Sequence, residues 1–204
     1  MDRRAFLFGA PLALAGCAAP QVWAPDDVVS RAIYADPSDS YLTLYTMRNV
    51  GSGSGAHSAL LINASQRVIF DPAGSFQQNV MPERNDVLFG ATPYYEELYV
   101  SYHARVTYYV VGQKLPVAPA VAEQALQLAM ANGPVPQARC AASTSALLRK
   151  LPGFSGIRQT WSPTRLMDDF GQMAGVETRT YYENDEDDKS IAAQRIAELV
   201  KAEQ

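Results

Sequence analysis

The pattern of apolar and polar positions divides the chain into short elements. Residues 41–47 (YLTLYTM) are rich in aromatic and β-favouring side chains and predict a first strand. Residues 57–63 and 67–71 are two largely apolar runs around the loop Ala64-Ser65-Gln66, which predicts a hairpin. His57 opens this hairpin, and Asp71 closes it at the turn-forming Pro72-Ala73-Gly74. Between the first strand and the hairpin, residues 51–55 (GSGSG) hold too much glycine for regular structure. They read either as a flexible connector or as a loop that lets backbone approach a ligand. Residues 75–95 are mixed and predict a surface loop with room for a helical turn. Residues 97–111 alternate with period two. Val100, Tyr102, Ala104, Val106, Tyr108 and Val110 fall on one face; Ser101, His103, Arg105 and Thr107 fall on the other. That predicts a long, half-buried strand with His103 solvated on its polar side.

The C-terminal half changes to helical spacing. Val121, Ala125, Leu128 and Ala129 line one side of a helix over residues 119–132, stopped by Gly133-Pro134. Cys140 heads a second helix, residues 140–151, with Ser143, Leu147 and Leu151 along one stripe. Ser162 and Pro163 supply the N-cap and first-turn proline of a third, running to about residue 174. Residues 176–182 predict a last strand, residues 183–188 (ENDEDD) a solvated loop, and residues 190–202 a peripheral helix.

Composition alters this picture mainly at the N-terminus. The 204 residues, 48% hydrophobic and 19% charged, allow one domain with a proper core plus tails. No apolar run reaches the ~18 residues of a membrane span. Residues 1–4 (MDRR) are a basic start, residues 5–15 a brief apolar core, and Leu14-Ala15-Gly16-Cys17 ends it. That core suits a signal peptide. Its last four residues resemble the bacterial lipobox, in which cleavage precedes the cysteine and lipid is attached to its sulfur; a plain secretory signal cut nearby is the alternative. Residues 1–16 are therefore expected to be a lipoprotein signal peptide, with Cys17 lipidated and residues 17–38 a tether. Residues 39–182 would be the folded domain, and residues 183–204 an acidic loop and terminal helix. Arg3-Arg4 also resembles a twin-arginine signal, so both export routes stay open. Ala18 in place of aspartate favours the outer over the inner membrane of the cell envelope, the membrane being reached through the lipid. After cleavage 15 basic residues face 20 acidic ones, a charge of −5 that argues against a nucleic-acid partner. A lipidated Cys17 also leaves Cys140 without a disulfide partner, and an unpaired thiol in an exported protein is a candidate reactive group.

A thiol is a weak nucleophile until it ionises, which an imidazole or a helix N-terminus promotes. At the head of a helix, the Cys140 sulfur would lie among unpaired backbone N–H groups that favour negative charge and could hold an oxyanion. His57 would take the thiol proton and return it to a leaving group. Asp71 is the nearest orienting partner for the imidazole if the hairpin register puts both on one face; Asn63 and Ser58 are substitutes, and Asp71 could instead only cap its turn.

The order of elements, a histidine-led hairpin first and a cysteine-headed helix later, resembles the circularly permuted branch of the NlpC-type, papain-like cysteine hydrolases. That branch includes lecithin retinol acyltransferase-like enzymes and bacterial lipoproteins. The resemblance spans about residues 40–182. It implies an α+β, papain-like fold: an antiparallel sheet packed against helices, with the cysteine at a helix N-terminus. It also implies Cys140 as nucleophile, His57 as base and Asp71 as third member. The chain departs from many relatives in having Arg139, where they have asparagine, before the cysteine.

No other chemistry competes. Two separated histidines and one cysteine do not make a zinc site, residues 51–55 lack the lysine of a phosphate loop, and there is no Gly-x-Ser-x-Gly. No cofactor or metal is expected. Two functions follow: an envelope thiol hydrolase acting on a peptidoglycan peptide or a lipid acyl group, or an inactive lipoprotein that binds a peptide or protein partner. The residues name no substrate-binding group and fix no oligomeric state.

Overall fold

The computed structural model describes residues 19–74, 76, 80–190, 194, 198 and 201. The expected signal peptide, Cys17 and much of the expected terminal helix (residues 190–202) lie outside the described residues. At the centre is β2 (Gly55–Asn63), hydrogen-bonded to β1 (Tyr41–Asn49) on one side and β3 (Arg67–Phe70) on the other. Outward from β1 lie β6 (Tyr108–Pro116) and β7 (Glu177–Tyr181); outward from β3 lie β5 (Val87–Phe89) and β4 (Glu83–Arg84). All pairings of this seven-stranded sheet are antiparallel. Five helices accompany it among the described residues: α1 (Asp26–Ala32), α2 (Pro93–His103), α3 (Pro119–Met130), α4 (Cys140–Leu148) and α5 (Pro163–Gly171). The fold is α+β, as expected.

Both faces of the central strands are covered, which is why they read as near-continuous apolar runs. Leu42, Leu44, Leu60 and Ile62 pack toward Leu126, Leu147 and Phe170 of α3, α4 and α5. Tyr45, Ala59 and Leu61 pack toward Leu98, Tyr99 and Tyr102 of α2. Each fully buried leucine or isoleucine contributes about 1.5–3 kcal/mol, so burial on two faces fixes this sheet. Helix α2 is further held by Glu96. Its carboxylate meets Arg67 of β3 and Tyr45 of β1, while the Arg67 guanidinium also reaches the Tyr41 hydroxyl at 2.9 and 3.1 Å.

Three expectations are corrected. The strand predicted over residues 97–111 is instead the end of α2 followed, after a short turn, by β6. Thr92 caps the helix by accepting from the Tyr95 N–H, with Pro93 in the first turn, and the buried Leu98, Tyr99, Tyr102 and His103 follow helical spacing. Tyrosine and valine favour strands only weakly, and the cap overrides them. His103 is consequently buried, not solvated. Residues 75–95 include β4, β5 and the start of α2 as well as loop. The tether likewise carries α1 and is docked: Ala24 N–H donates to the Glu83 carbonyl at 2.9 Å, Asn85 N–H to the Val22 carbonyl at 3.0 Å, and Trp23 pairs with Arg84 as a β-bridge.

The glycine-rich loop is also specific. Ser52 N–H donates to the Asn49 side chain at 2.9 Å, and Gly55 N–H to the Thr164 hydroxyl at 2.8 Å. A Cβ on Gly55 would stand 2.7 Å from the Thr164 nitrogen, so the close approach is to the head of α5.

Candidate active site

The β2–β3 ladder runs from Asn63↔Arg67 to Leu60↔Phe70 and stops. Continuing that register, His57 and Asp71 become diagonal neighbours with side chains on the same, α2-facing side. They meet: His57 Nε2–H donates to Asp71 Oδ1 at 2.6 Å. The Tyr99 hydroxyl of α2 donates to the same oxygen at 2.7 Å. Gly74 lets the turn close over the carboxylate, since a Cβ there would lie 1.9 Å from Asp71 Oδ2. The expected substitutes for Asp71 are elsewhere. Asn63 bonds Ser38 and the Asp39 carbonyl at the far end of the strand, and Ser58 projects to the opposite face from His57.

Beside residues 57–59 no β3 partner remains, and Cys140 at the head of α4 is acted on there by His57 and Ser58 of β2. Cys140 is a free thiol, 5% exposed, and belongs to neither apolar cluster, whereas Leu147 and Leu151 belong to the one on its own face. Burial pushes the thiol pKa up from its ordinary 9.0. Hydrogen bonding to His57, the charge on that ring and the Ser58 backbone N–H together outweigh burial and hold it below 9.0. The imidazole touches Asp71 through Nε2, and Cys140 is the other side chain that acts on it. Its pKa is opposed by burial, but Asp71 and Cys140 raise it from 6.5 to about 10. Asp71 is pushed up by burial and held below 3.8 chiefly by His57. Each shift runs in the direction of a thiolate–imidazolium pair with an ionised carboxylate behind it. Within α4 the first bond runs from Ser143 N–H to the Arg139 carbonyl, leaving the N–H groups of Cys140, Ala141 and Ala142 without helical partners.

The pattern in the sequence concealed two further site residues, Tyr99 and His103, because it placed both on a strand. His103 donates through Nδ1 to the Tyr99 carbonyl at 2.8 Å, and its ring lies nearly parallel to His57 at 6.1 Å. With burial dominant and no carboxylate in hydrogen-bond contact, its pKa falls to about 4. The signal that could have found them is the Thr92-Pro93 helix start, which puts Tyr95, Tyr99 and His103 on one face.

A cavity of about 270 Å³ reaches Asp71 from behind, between Ala19, Pro20 and Val22 of the docked tether and Pro136 and Gln137 ahead of α4. Among the described residues no group of three or more His, Cys, Asp or Glu side chains is arranged to hold a metal ion, and no helix is long and apolar enough to cross a membrane. Compared with family models, curated proteins and solved structures, the chain matches none, so its site is read from its own residues.

Proposed function

We propose that the chain is a lipid-anchored thiol hydrolase of the bacterial cell envelope, with Cys140 as nucleophile, His57 as acid–base and Asp71 orienting the imidazole. One observation carries this: a single imidazole engages a buried carboxylate at 2.6 Å and also acts on the unpaired thiol, lowering its pKa. The histidine-first order of a sheet and a cysteine-headed helix supports a permuted papain-like arrangement. In the reaction the Cys140 thiolate attacks the carbonyl carbon of an amide or ester, and the S–C bond forms. The oxyanion is received by free N–H groups at the head of α4. His57 gives its proton to the leaving nitrogen or oxygen as that bond breaks. Water then attacks the thioester, His57 takes its proton, and the thiolate is regenerated with release of the acid. A peptidoglycan peptide and a lipid acyl group are the two substrate classes that suit an anchor at Cys17.

The test is alkylation of the full chain by iodoacetamide near pH 7. We expect Cys140 to react at least about tenfold faster than a free cysteine, most of which is protonated at that pH. His57→Ala should remove the advantage, and Cys140→Ala should abolish both labelling and turnover of p-nitrophenyl esters. A rate equal to that of free cysteine would overturn the proposal. A second reading, an inactive scaffold that binds a peptide or protein partner, is favoured by the 5% exposure of Cys140. It predicts slow alkylation and ligand binding that survives Cys140→Ala.

A further inference from the structure

Two loops must meet for the site to exist, and no strand pairing joins them. Asp71 opens the turn after β3, and Cys140 follows the leader 133–139 into α4. The β4–β5 hairpin reaches both. Its two-residue turn is Asn85-Asp86, across the Arg84↔Val87 pair. Among the described residues, the non-glycine positions with positive φ are Ala73, Asn85, Asp86 and Ala138, at 56°, 44°, 68° and 64°. They fall in these three loops: one in the Asp71 turn, two in the hairpin turn, one in the leader. Left-handed backbone is unfavourable for alanine and persists only where surrounding contacts determine it.

Asp86 supplies such contacts on both sides. Its carbonyl accepts from the Asp71 N–H at 2.7 Å, and its carboxylate accepts from the Ala73 N–H. Asp86 Oδ2 also accepts from the Val135 N–H at 2.7 Å. Pro134 and Pro136 have no N–H, so Val135 carries the only backbone donor of residues 134–136, and Asp86 takes it. The Val135 side chain is buried in the same apolar cluster as Leu147 and Leu148 of α4. The turn itself is steadied by Asp86 N–H donating to Glu83 Oε1 at 3.3 Å.

A carboxylate in this place is not there by default. Burial pushes its pKa above 3.8 and the charge of Asp71 adds to the push, against the bonds from Val135 and Ala73. Glycine, an ordinary occupant of the second position of such a turn, would adopt the same backbone without penalty. It would have nothing with which to hold the leader.

We infer that Asp86 is a positioning residue: it staples the turn that carries Asp71 to the leader of the helix that carries Cys140, and so sets where the sulfur stands against the imidazole. The inference rests on the hydrolase reading of that site. Asp86 acts through geometry. The chief influences on His57 are burial, Asp71 and Cys140, and those on the thiol are burial, His57 and Ser58.

The experiment replaces Asp86 on the full chain in two ways. Asp86→Gly keeps the left-handed turn and removes both carboxylate bonds; Asp86→Asn keeps the turn and one acceptor oxygen. Turnover of p-nitrophenyl acetate should fall about tenfold or more in Asp86→Gly, through kcat with KM little changed, since about 1 Å of misplacement costs on the order of a hundredfold. Asp86→Asn should recover part of the loss. The pH profile of Cys140 alkylation should move upward in Asp86→Gly and less in Asp86→Asn. A residue that served stability alone would lower the melting temperature and leave that profile in place. The Val135 amide, followed by hydrogen exchange, should be protected in the native chain and exchange about tenfold faster or more in Asp86→Gly. This readout needs no turnover, so native alkylation no faster than free cysteine would fail the hydrolase reading while the amide still reports on the staple. An alkylation profile unmoved in Asp86→Gly overturns the inference, and so does a Val135 amide that exchanges alike in both chains. Equal losses in Asp86→Gly and Asp86→Asn also overturn it, because they would assign the effect to charge instead of placement.

Discussion

Helix α2 ties down two carboxylates on the same face of the sheet, and they serve different ends. Its own Glu96 meets Arg67 and Tyr45, and that arginine meets Tyr41; one turn later its Tyr99 meets Asp71, which meets His57. Both clusters are a carboxylate, a cation and tyrosine hydroxyls. In the first, the guanidinium spreads its donors over Tyr41, the Ala91 carbonyl and Glu96, and it keeps its proton at any ordinary pH. Nothing there can transfer. In the second, the cation is an imidazole with one nitrogen left over and a thiol beside it. Burial and charge alone do not make a reactive site; a group that can part with its proton does. His103 is the internal control. It lies 6.1 Å from His57 but lacks the hydrogen bond to Asp71, and its pKa goes to about 4 where that of His57 goes to about 10.

The most damaging way to break this contrast is Arg67→Ala. Arg67 is 2% exposed, and removing one member of such a pair leaves its partners desolvated and unpaired. We expect a loss of about 3–5 kcal/mol in unfolding free energy, measured by urea denaturation. In the protein that remains folded, the pH profile of Cys140 alkylation should keep its shape. A loss under about 1 kcal/mol, the value of an exposed pair, would mean that the cluster is no clamp.

Asp71→Asn should do the reverse, costing about a hundredfold in turnover, the lower range for losing acid–base function. Its effect on pH follows from the signs of the shifts. His57 is raised from 6.5, so the stability from its charged form is complete below pH 6.5 and lost as pH rises through about 10. Asp71 is lowered from 3.8, so its contribution is present above pH 3.8 and lost as pH falls through its depressed value. The imidazolium–carboxylate pair therefore persists between those limits. Without the carboxylate the imidazole pKa returns toward 6.5, and the thiol, deprived of a charged neighbour, rises back toward 9.0. Alkylation that begins below pH 9 in the native chain should shift upward in the variant. An unchanged profile would leave Asp71 as a turn residue only.

How much of this could be read beforehand follows the range of the interactions. The hairpin, the helix over residues 119–132, Cys140 at a helix head and the Ser162 cap were legible because each is a local pattern. Asp71 was legible as a candidate because only the parity of positions in one hairpin had to be right. Tyr99 and His103 were hidden by a β-favouring run whose helical fate depends on a cap at Thr92 and on Glu96 of the same helix meeting Arg67 on a distant strand. The docked tether was hidden for a similar reason: Trp23 and its bridge partner Arg84 are far apart in sequence, and α1 is only a short helix.

The finest test of the contrast is Tyr99→Phe, which removes one oxygen and keeps the ring in the α2 core. The hydroxyl is fully buried and gives its proton to the oxygen that also accepts from His57, so it both holds Asp71 in place and helps it stay ionised. Losing one such bond to a charged acceptor should cost about 1.5 kcal/mol, roughly a tenfold drop in turnover, with KM little changed. A residue that only filled space would move stability alone. A positioning residue should also displace the alkylation profile of Cys140 in the same direction as Asp71→Asn, but by less, because the carboxylate remains. If Tyr99→Phe lowers the melting temperature and leaves that profile where it was, the tyrosine belongs with Tyr41 and Tyr45 in the structural cluster. The division between the two clusters would then fall between Tyr99 and Asp71.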